Sequence, residues 1–302
     1  NNKAHNHKPF RERNKNPKLA TAALFYANYK WVGNGRDPQG NVIWTLVYVP
    51  EFARSCVEPA EKNLKVGAFR EPPVQGQKPK LTGFSPYWDK HFPMLQPTER
   101  AQLAAYALQK VNVFAFAGHG DGNFMEFVQF TYADPYNPYV ISPISTEDGL
   151  SWKDGWGNKQ PITSLSNLHL VVIGSCRLAS ISGFPIVAAI VSKGARFGIG
   201  VGGVGHKDFS TGEIYNDWNF LYPISYQTWA EIFWEITSAE GDKEMKNWAD
   251  KWPTMQTAAI RAMDRANKRY LKALSKIYGE NMCVYVAFSG QDDYLGNIPG
   301  TF

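Results

Sequence analysis

The sequence predicts an α/β fold with a mainly parallel central sheet flanked by helices. Two unbroken apolar runs, VNVFAFAG (111–118) and LHLVVIG (168–174), are typical of strands that are buried on both faces. The chain between and after them is long enough for the crossover connections that parallel neighbours require. Because α/β folds place their chemistry just past the carboxyl ends of such strands, the residues that follow each run are the first candidates for a site.

The segments before the first run predict strands, a loop and a helix. The aromatic and β-branched segments 20–33 and 41–53 are separated by turn residues, which favours a hairpin or a strand pair. Residues 57–97 are rich in Pro, Lys and Gly and predict a long surface loop or a small added element. The segment TERAQLAAYALQ (98–109) predicts a helix with Thr98 as N-cap, and it leads into the first apolar strand.

Helix and strand patterns alternate again after the second run. The predicted elements are a helix at 184–195, a strand at 195–201, a helix at 227–239 and an amphipathic helix at 254–279. Gly194 is expected to stop the first of these helices, and Thr254 and Gly279 to cap the last. Between the runs, residues 131–167 are loop-rich and aromatic. We expect them to contain a hairpin, to shape a substrate cleft or to form an interface to another subunit.

A histidine and a cysteine follow the two apolar runs. His119-Gly120 comes directly after the first run and Ser175-Cys176 after the second. An imidazole beside a thiol can take the thiol proton and later protonate a leaving amine, and the thiolate is the nucleophile. The N–H groups of Gly120 and Cys176 are candidates for an oxyanion hole. Each residue alone also fits a structural role, since free Cys is commonly buried and a strand-end His is often a satisfied group.

The ordered set of motifs resembles the caspase-like (clan CD) cysteine peptidases, and the CHAT-domain branch is the most similar. The resemblance rests on the His-Gly and Ser-Cys strand ends, on SGFPIVAAIVSKGARFGIGVGG (182–203), on AAIRAMDRANKRYL (258–271) and on MCVYVAFSGQDD (282–293). It covers about residues 97–293. It implies a three-layer caspase-like sandwich and a cysteine endopeptidase that cleaves a peptide or protein through a thioester, with His119 and Cys176 as the dyad.

Three further residues, at and beyond a glycine-rich strand, are candidates for binding substrate. Gly198, Gly200 and Gly203 satisfy G-x-G-x-x-G, but the polar, turn-rich segment that follows does not open a helix, so a dinucleotide site is rejected. A glycine-rich strand end that lines a peptide cleft explains these residues better, and it includes Gly202. His206 and Asp208 lie beyond that strand and are within reach of the site, although a solvated loop also suits them.

Acidic residues near the cleft are candidates for selecting the substrate. In the peptidases that the chain resembles, the residue before the cut is often selected by its charge, and acidic groups hold a basic side chain. The resemblance therefore makes Asp121, Asp208 and Asp217 candidates for such a pocket. Surface Asp residues are common, so each also fits a solvated role.

Composition favours one sizeable globular domain with a basic arm. The 302 residues are 44% hydrophobic and 20% charged, with a net charge of +5. Much of the excess charge lies in residues 1–19, which we expect to be an arm, with a single α/β domain at 20–302 that carries the insertions 57–97 and 131–167. No segment approaches the ~20 apolar residues of a membrane span. We expect no nucleic-acid partner, and no CxxC or HExxH pattern indicates zinc or another cofactor.

The three cysteines and the first residue are the features of the sequence that bear on the cellular compartment. If Cys176 is the nucleophile, Cys56 and Cys283 are either two buried free thiols or a disulfide that favours an extracellular protein. The chain opens on Asn1 rather than Met, so we expect that something upstream was removed or left out, and a secreted setting is favoured over the cytoplasm. A basic arm with few apolar residues needs a surface to hold it, either that of the domain itself or that of a neighbouring subunit. The second alternative predicts homo-oligomers formed through this arm and the aromatic loops.

Two other function classes remain open. The first is an inactive caspase-like domain that serves as a structural or self-assembling interaction module, because fold resemblance does not establish function. The second is an acyltransferase or thiol hydrolase that uses the same nucleophile without cleaving peptides.

Overall fold

The structure is a computed structural model. The part of the chain that the structure describes comprises residues 22–27, 29–48, 50–63, 69–70, 81–82, 99–120, 122–130, 139–147, 149–154, 156–175, 185–204, 206–207, 214–215, 221–238, 241–278 and 282–298.

The described elements are strands and helices in a mixed order. The strands are β1 (Ala22–Ala27), β2 (Tyr29–Arg36), β3 (Val42–Tyr48), β4 (Phe69–Arg70), β5 (Leu81–Thr82), β6 (Val113–Gly118), β7 (Phe124–Phe130), β8 (Tyr139–Ser145), β9 (Ser151–Lys153), β10 (Lys159–Pro161), β11 (Leu170–Gly174), β12 (Phe197–Val204), β13 (His206–Lys207), β14 (Ile214–Tyr215) and β15 (Cys283–Gly290). The helices are α1 (Pro50–Asn63), α2 (Glu99–Lys110), α3 (Pro185–Ser192), α4 (Leu221–Thr237), α5 (Trp248–Lys251), α6 (Met255–Arg265) and α7 (Lys272–Tyr278), with a π-helical segment at Ala266–Leu271 between the last two and a 3₁₀ turn at Leu295–Asn297.

The fold is mixed α/β, and its main sheet is mostly parallel, as predicted. Five strands lie in the order β1-β6-β11-β12-β15; the first four run parallel and β15 runs antiparallel to β12. The two apolar runs form β6 and β11, whose residues are all buried. They are direct neighbours in the sheet, so their carboxyl ends lie at the same edge.

The N-terminal strands differ from the prediction. Segment 20–33 is not one strand of a hairpin: β1 joins the main sheet beside β6, and only β2 pairs with β3 as a hairpin. The predicted strand 41–53 ends at Tyr48, and α1 begins at Pro50, a residue whose fixed φ suits the first helical position. The helix continues to Asn63, so residues 57–63 are helical rather than part of a loop.

The segment between the two buried strands contains more regular structure than a loop-rich insertion. Strands β8, β9 and β10 lie within 131–167 and join β7 in a four-stranded antiparallel sheet of order β10-β9-β8-β7. In β7, Met125 and Phe127 are buried, while Phe124 and Glu126 are only half-buried. One face of this second sheet therefore packs on the core.

Glycines permit close packing of helices on the main sheet. A Cβ atom at Gly198 would overlap the Val187 side chain of α3, so the helix approaches β12 more closely than a larger residue would permit. Gly198, Gly200 and Gly203 all lie within β12, which confirms that their spacing marks a strand and not a dinucleotide-binding turn. Gly194, at φ 111°, follows the end of α3 as predicted.

A row of stacked aromatic rings forms the core around α4. The ring of Trp229 stacks on Tyr226 at 5.8 Å and on Phe233 at 4.8 Å, and all three side chains are buried. The indole N–H of Trp229 donates to the Ala259 carbonyl of α6 at 3.1 Å, which satisfies its one polar group. Helix α4 begins at Leu221, before the predicted start at residue 227.

The long C-terminal helix is present and contains a π-helical segment. Thr254 caps α6 by accepting the N–H of Thr257, as predicted, whereas the cap predicted at Gly279 lies outside the described residues. In the π-helical segment, the Asn267 amide donates to the Val284 carbonyl and accepts the Val284 N–H, both at 2.9 Å. The Asn267 side chain thus forms a ladder-like pair with the outer edge of β15.

A buried carboxylate connects α6 to the loop before α5. Asp242 is fully buried. Its carboxylate accepts hydrogen bonds from the two terminal guanidinium nitrogens of Arg265, at 3.0 and 2.8 Å, and from the Glu244 N–H at 3.0 Å. Arg261 approaches the same carboxylate at 3.5 Å. None of the helices that the structure describes is both long and apolar enough to cross a membrane.

Candidate active site

The carboxyl ends of three parallel strands meet at one edge of the main sheet. Gly174 at the end of β11 lies opposite Ala117 of β6 on one side and Val201 of β12 on the other. The N–H of Ser175, one residue further, donates to the Val201 carbonyl at 3.3 Å. The chain segments that leave β6 and β11 therefore start side by side.

His119 stands one residue past the end of β6. Its carbonyl accepts the Glu126 N–H at 3.0 Å, which fixes the backbone of this strand end against β7. The side chain is half-buried, and burial lowers its pKa to about 4 because the imidazolium loses solvation. At neutral pH the imidazole is therefore uncharged and able to accept a proton.

Gly120 is in a position where only glycine fits without rearrangement. It forms an antiparallel bridge with Met125, and a Cβ atom here would overlap the Phe124 carbonyl oxygen and stand 2.9 Å from the Ser175 Oγ. The hydrogen bond of this bridge runs from the Glu126 N–H to the His119 carbonyl, so the bridge does not use the Gly120 N–H. In the part of the chain that the structure describes, no carbonyl accepts that N–H.

Ser175 is a site residue whose burial the sequence did not indicate. It is fully buried between the end of β6 and β12, and its hydroxyl has no hydrogen-bond partner among the described residues. A buried hydroxyl without a partner is uncommon in folded proteins. The only sequence signal was its place between an apolar run and a cysteine, which indicates the end of a strand but not burial.

Gly174 provides space for an aromatic ring behind the site. A Cβ atom at this position would overlap the ring of Tyr226, so the α4 tyrosine lies directly on the backbone of β11. Burial raises the pKa of Tyr226 well above its ordinary value, and its phenol stays neutral. This packing gives a physical reason for glycine at the last position of the strand.

The structure places some of the predicted site residues and leaves others outside its described part. His119 and Gly120 come together with Ser175 at the strand ends, and Gly202 is buried in β12, one residue past Val201. His206 lies in the short strand β13, where only its backbone is described, opposite Tyr215. The remaining predicted residues lie outside the described residues: Cys176, Asp121, Asp208 and Asp217.

The other two cysteines are free thiols. Cys56 is buried in α1 and Cys283 is partly buried in β15, and no disulfide joins them. Burial raises the pKa of both thiols, so both are poor nucleophiles at neutral pH. Among the described residues, no group of three or more His, Cys, Asp or Glu side chains is placed to hold a metal ion.

The arrangement supplies two of the groups that acyl transfer uses. A neutral imidazole is a general base, and a backbone N–H at a close-approach glycine is a donor for a developing oxyanion. The nucleophile would come from the residue that follows Ser175. Scans against protein-family models and a search of curated proteins find no match to this chain.

Proposed function

We propose that the protein is a cysteine endopeptidase of the caspase-like type that uses His119 and Cys176 as its catalytic dyad. The observation that carries the proposal is the parallel pairing of β6 with β11, in which Ala117 lies opposite Gly174. In the sequence, His119 and Cys176 each follow these paired residues by two positions. Because His119 and Cys176 each lie two positions beyond directly opposed residues of neighbouring parallel strands, they are expected at the same edge of the sheet, which supports their assignment as a dyad.

The proposed reaction proceeds in two steps. The neutral His119 imidazole takes the thiol proton of Cys176, and the sulfur attacks the peptide carbonyl while the N–H groups of Gly120 and Cys176 bind the oxyanion. The C–N bond breaks, the leaving amine takes the proton from His119, and a thioester remains. Water, deprotonated by the same imidazole, then hydrolyses the thioester and restores the thiol.

The proposal includes a finer description of the fold. The parallel strands β6, β11 and β12 followed by the antiparallel β15 are compatible with a three-layer caspase-like sandwich, most similar to the CHAT-domain branch. The order of the motifs supports this assignment. Homo-oligomers, secretion and the roles of Gly202, His206, Asp121 and Asp208 in holding substrate belong to the same proposal.

One observation favours the alternative of an inactive interaction module. Trp156, at the tip of the β9–β10 hairpin, is 90% exposed, and the turn beneath it is held by Asp154. The Asp154 carboxylate accepts the N–H groups of Trp156 and Asn158 at 2.9 and 2.8 Å and the Gln160 amide at 2.8 Å. An ordered turn that presents an exposed tryptophan is a typical anchor of a protein interface.

A comparison of cysteine reactivity tests the proposal. The intact chain is treated at pH 7 with peptides that carry a thiol-reactive electrophile, and the labelled cysteine is identified by mass spectrometry. Cys176 should react at least about a hundredfold faster than Cys56 or Cys283, since a general base contributes on the order of 10²–10⁴-fold. His119→Ala should remove most of this advantage, while Cys283→Ala, the matched control, should leave it unchanged.

Cleavage assays complete the test. Peptides with basic, acidic and Asn-containing sites are offered to the wild type and to Cys176→Ala, with any pro-segment removed. Loss of cleavage in a folded Cys176→Ala protein supports the peptidase. Equal labelling of all three cysteines, or no cleavage of any peptide, contradicts it. The module is then the better description, and deletion of residues 1–17 should disrupt self-association.

A further inference from the structure

The four-stranded sheet carries an open groove of about 200 Å³ on the face opposite its buried side. Phe124 and Glu126 line the groove, and they alternate along β7 with Met125 and Phe127, which are buried. Ser145 of β8 and Ser151 of β9 lie beside Phe124 in the strand register and line the same face. A concave surface that combines an aromatic ring with a few polar groups is a common form of a ligand site.

The groove begins where the candidate active site ends. Glu126 in the groove donates its N–H to the His119 carbonyl, and Gly120 forms a bridge with Met125 between the two groove residues of β7. A chain bound in this groove would therefore lie next to the strand end that carries the imidazole.

Glu126 places a carboxylate on one side of the groove. The residue is half-buried, and burial raises the pKa of its carboxyl group because the charged form loses solvation. A cationic ligand group beside this carboxylate would favour its charged form, and the ring of Phe124, on the same face of β7, offers an apolar and cation-attracting surface for the alkyl stem of that group.

Two lysines form the opposite side. Lys153 of β9 and Lys159 of β10 are exposed and lie directly opposite each other in the antiparallel register. Two ammonium groups at paired positions make this side of the groove positively charged, and an acidic side chain of a ligand would be attracted to it. Within the described part of the chain, the Lys153 ammonium makes no ion pair.

The charges of the groove are separated and balanced. Strand β8 lies between β7 and β9, which puts Glu126 roughly 10 Å from the Lys153 strand at the usual strand spacing. The exposed Glu147 also lines the groove, so two acidic and two basic side chains face the same space. This distribution suits a ligand with both charges better than a ligand with one.

We propose that this groove binds an extended peptide with a basic side chain against Glu126 and an acidic side chain against Lys153 and Lys159. An extended chain advances about 3.3 Å per residue, so the two charged side chains would be two to four residues apart. The inference rests on the proposed function, because it takes this peptide to be the substrate of the same site.

Peptide binding to the uncleaving Cys176→Ala protein tests the groove. Fluorescence anisotropy is measured with four labelled peptides of one length: one with both charged residues, one with only the basic residue, one with only the acidic residue and one neutral. The doubly charged peptide should bind at least about tenfold more tightly than each singly charged one, as expected for charge-assisted contacts. Equal affinities for all four overturn the proposal.

Variants that remove the charge on one side of the groove at a time then show which protein side chain binds which charged residue of the peptide. Glu126→Gln should weaken binding of the doubly charged peptide about tenfold but leave the acidic peptide unaffected, whereas Lys153→Gln with Lys159→Gln should do the converse. Asp264→Asn with Lys268→Gln removes an exposed ion pair on the C-terminal helix and is the matched control, with no expected effect.

The outcomes separate this inference from the proposed function. If Cys176 cleaves peptides but the groove variants show no coupling to peptide charge, the groove proposal is wrong and the peptidase stands. If the coupling is found but no peptide is cleaved, the groove is a peptide-binding site of a protein that is not a peptidase.

Discussion

The Ser175 hydroxyl lies against Gly120: a Cβ atom added to the glycine would stand 2.9 Å from the Ser175 Oγ and 3.2 Å from its Cβ. This approach joins the residue after β11 to the second residue after β6. The two strand ends are therefore packed together, and a change in the side-chain volume of one displaces the other.

Gly120→Ala should impair the site more than the fold. The added methyl group would overlap the Phe124 carbonyl oxygen and press on Ser175, so the strand end must shift. Overpacking of this kind costs about 1–3 kcal/mol in the free energy of unfolding. We expect the labelling rate of Cys176 to fall at least about tenfold, because small misplacements of reacting groups have large effects on rate.

Gly198→Ala is the matched control for this variant. Its methyl group would overlap Val187 of α3, near the amino end of β12 and away from the carboxyl strand ends that form the candidate site. It should lower the free energy of unfolding by a similar amount while the folded protein keeps its labelling rate. Equal loss of labelling in both variants would show that the effect at Gly120 is one of general stability.

Ser175→Ala should leave the stability unchanged or raise it slightly. The hydroxyl is fully buried and has no partner among the described residues, so the fold carries its desolvation cost without a compensating hydrogen bond. We expect a change between zero and about +1 kcal/mol in the free energy of unfolding, measured by denaturant titration. A loss larger than about 1 kcal/mol would reveal a hydrogen bond made by this hydroxyl.

The pH dependence of labelling should follow the lowered pKa of His119. Burial lowers that pKa to about 4, so the imidazole remains a base down to that pH. We expect the labelling rate of Cys176 to decline on the acid side near pH 4 and not near the usual 6.5. Because Glu126 lies close by and also titrates, the profile is repeated with Glu126→Gln, and it should keep the same acid limb.

Folding stability should depend on pH through the same residue. Between about pH 4 and 6.5, the unfolded chain binds a proton at His119 that the folded chain does not. The contribution of this residue is complete above pH 6.5 and is lost as the pH falls towards 4, with a slope of at most about 1.4 kcal/mol per unit. His119→Gln should flatten the stability profile in this window, and an unchanged profile would contradict the burial of the imidazole.

Asp242→Asn should destabilise the fold strongly. The carboxylate is fully buried and binds Arg265 in a bidentate pair, so its neutralisation leaves the mostly buried guanidinium with the partly exposed Glu244 as its remaining ion-pair partner among the described residues. We expect a loss of about 3–5 kcal/mol in the free energy of unfolding. Asp264→Asn, at an exposed ion pair with Lys268, should cost less than about 1 kcal/mol, and similar losses in both variants would contradict this reading of the buried pair.

The sequence predicted strands correctly where every residue is buried. It failed where the partner of a strand lies far away in the chain. Strands β6 and β11 were predicted because each is apolar at every position, and α6 because Thr254 and its periodic apolar residues mark a helix. The split of 20–33 was missed, since β1 and β2 share one composition while only β1 pairs with the main sheet. Pro50 is itself a local signal for the start of α1, but the aromatic segment before it favoured a longer strand.

The candidate site was predictable in outline only. Its location followed from two residues placed after buried strands, a rule of topology that needs no side-chain detail. The burial of Ser175 and the overlap of Gly174 with Tyr226 depend on elements far apart in the chain, so no local pattern indicates them. The same holds for the groove, which combines residues from three strands of the second sheet with Lys159 of the fourth.

The side chain of Asn267 affects how copies of the protein can associate. Strand β15 is an outer strand of the main sheet, and such strands invite pairing with another chain through their free backbone groups. The amide of Asn267 occupies both the N–H and the carbonyl of Val284, so an incoming strand meets no vacant pairing site at that residue. Among the described residues, extension of the sheet past Val284 by another copy would first require the π-helical segment to release these two backbone groups, so a second copy cannot pair with this position of β15 while the segment keeps its conformation.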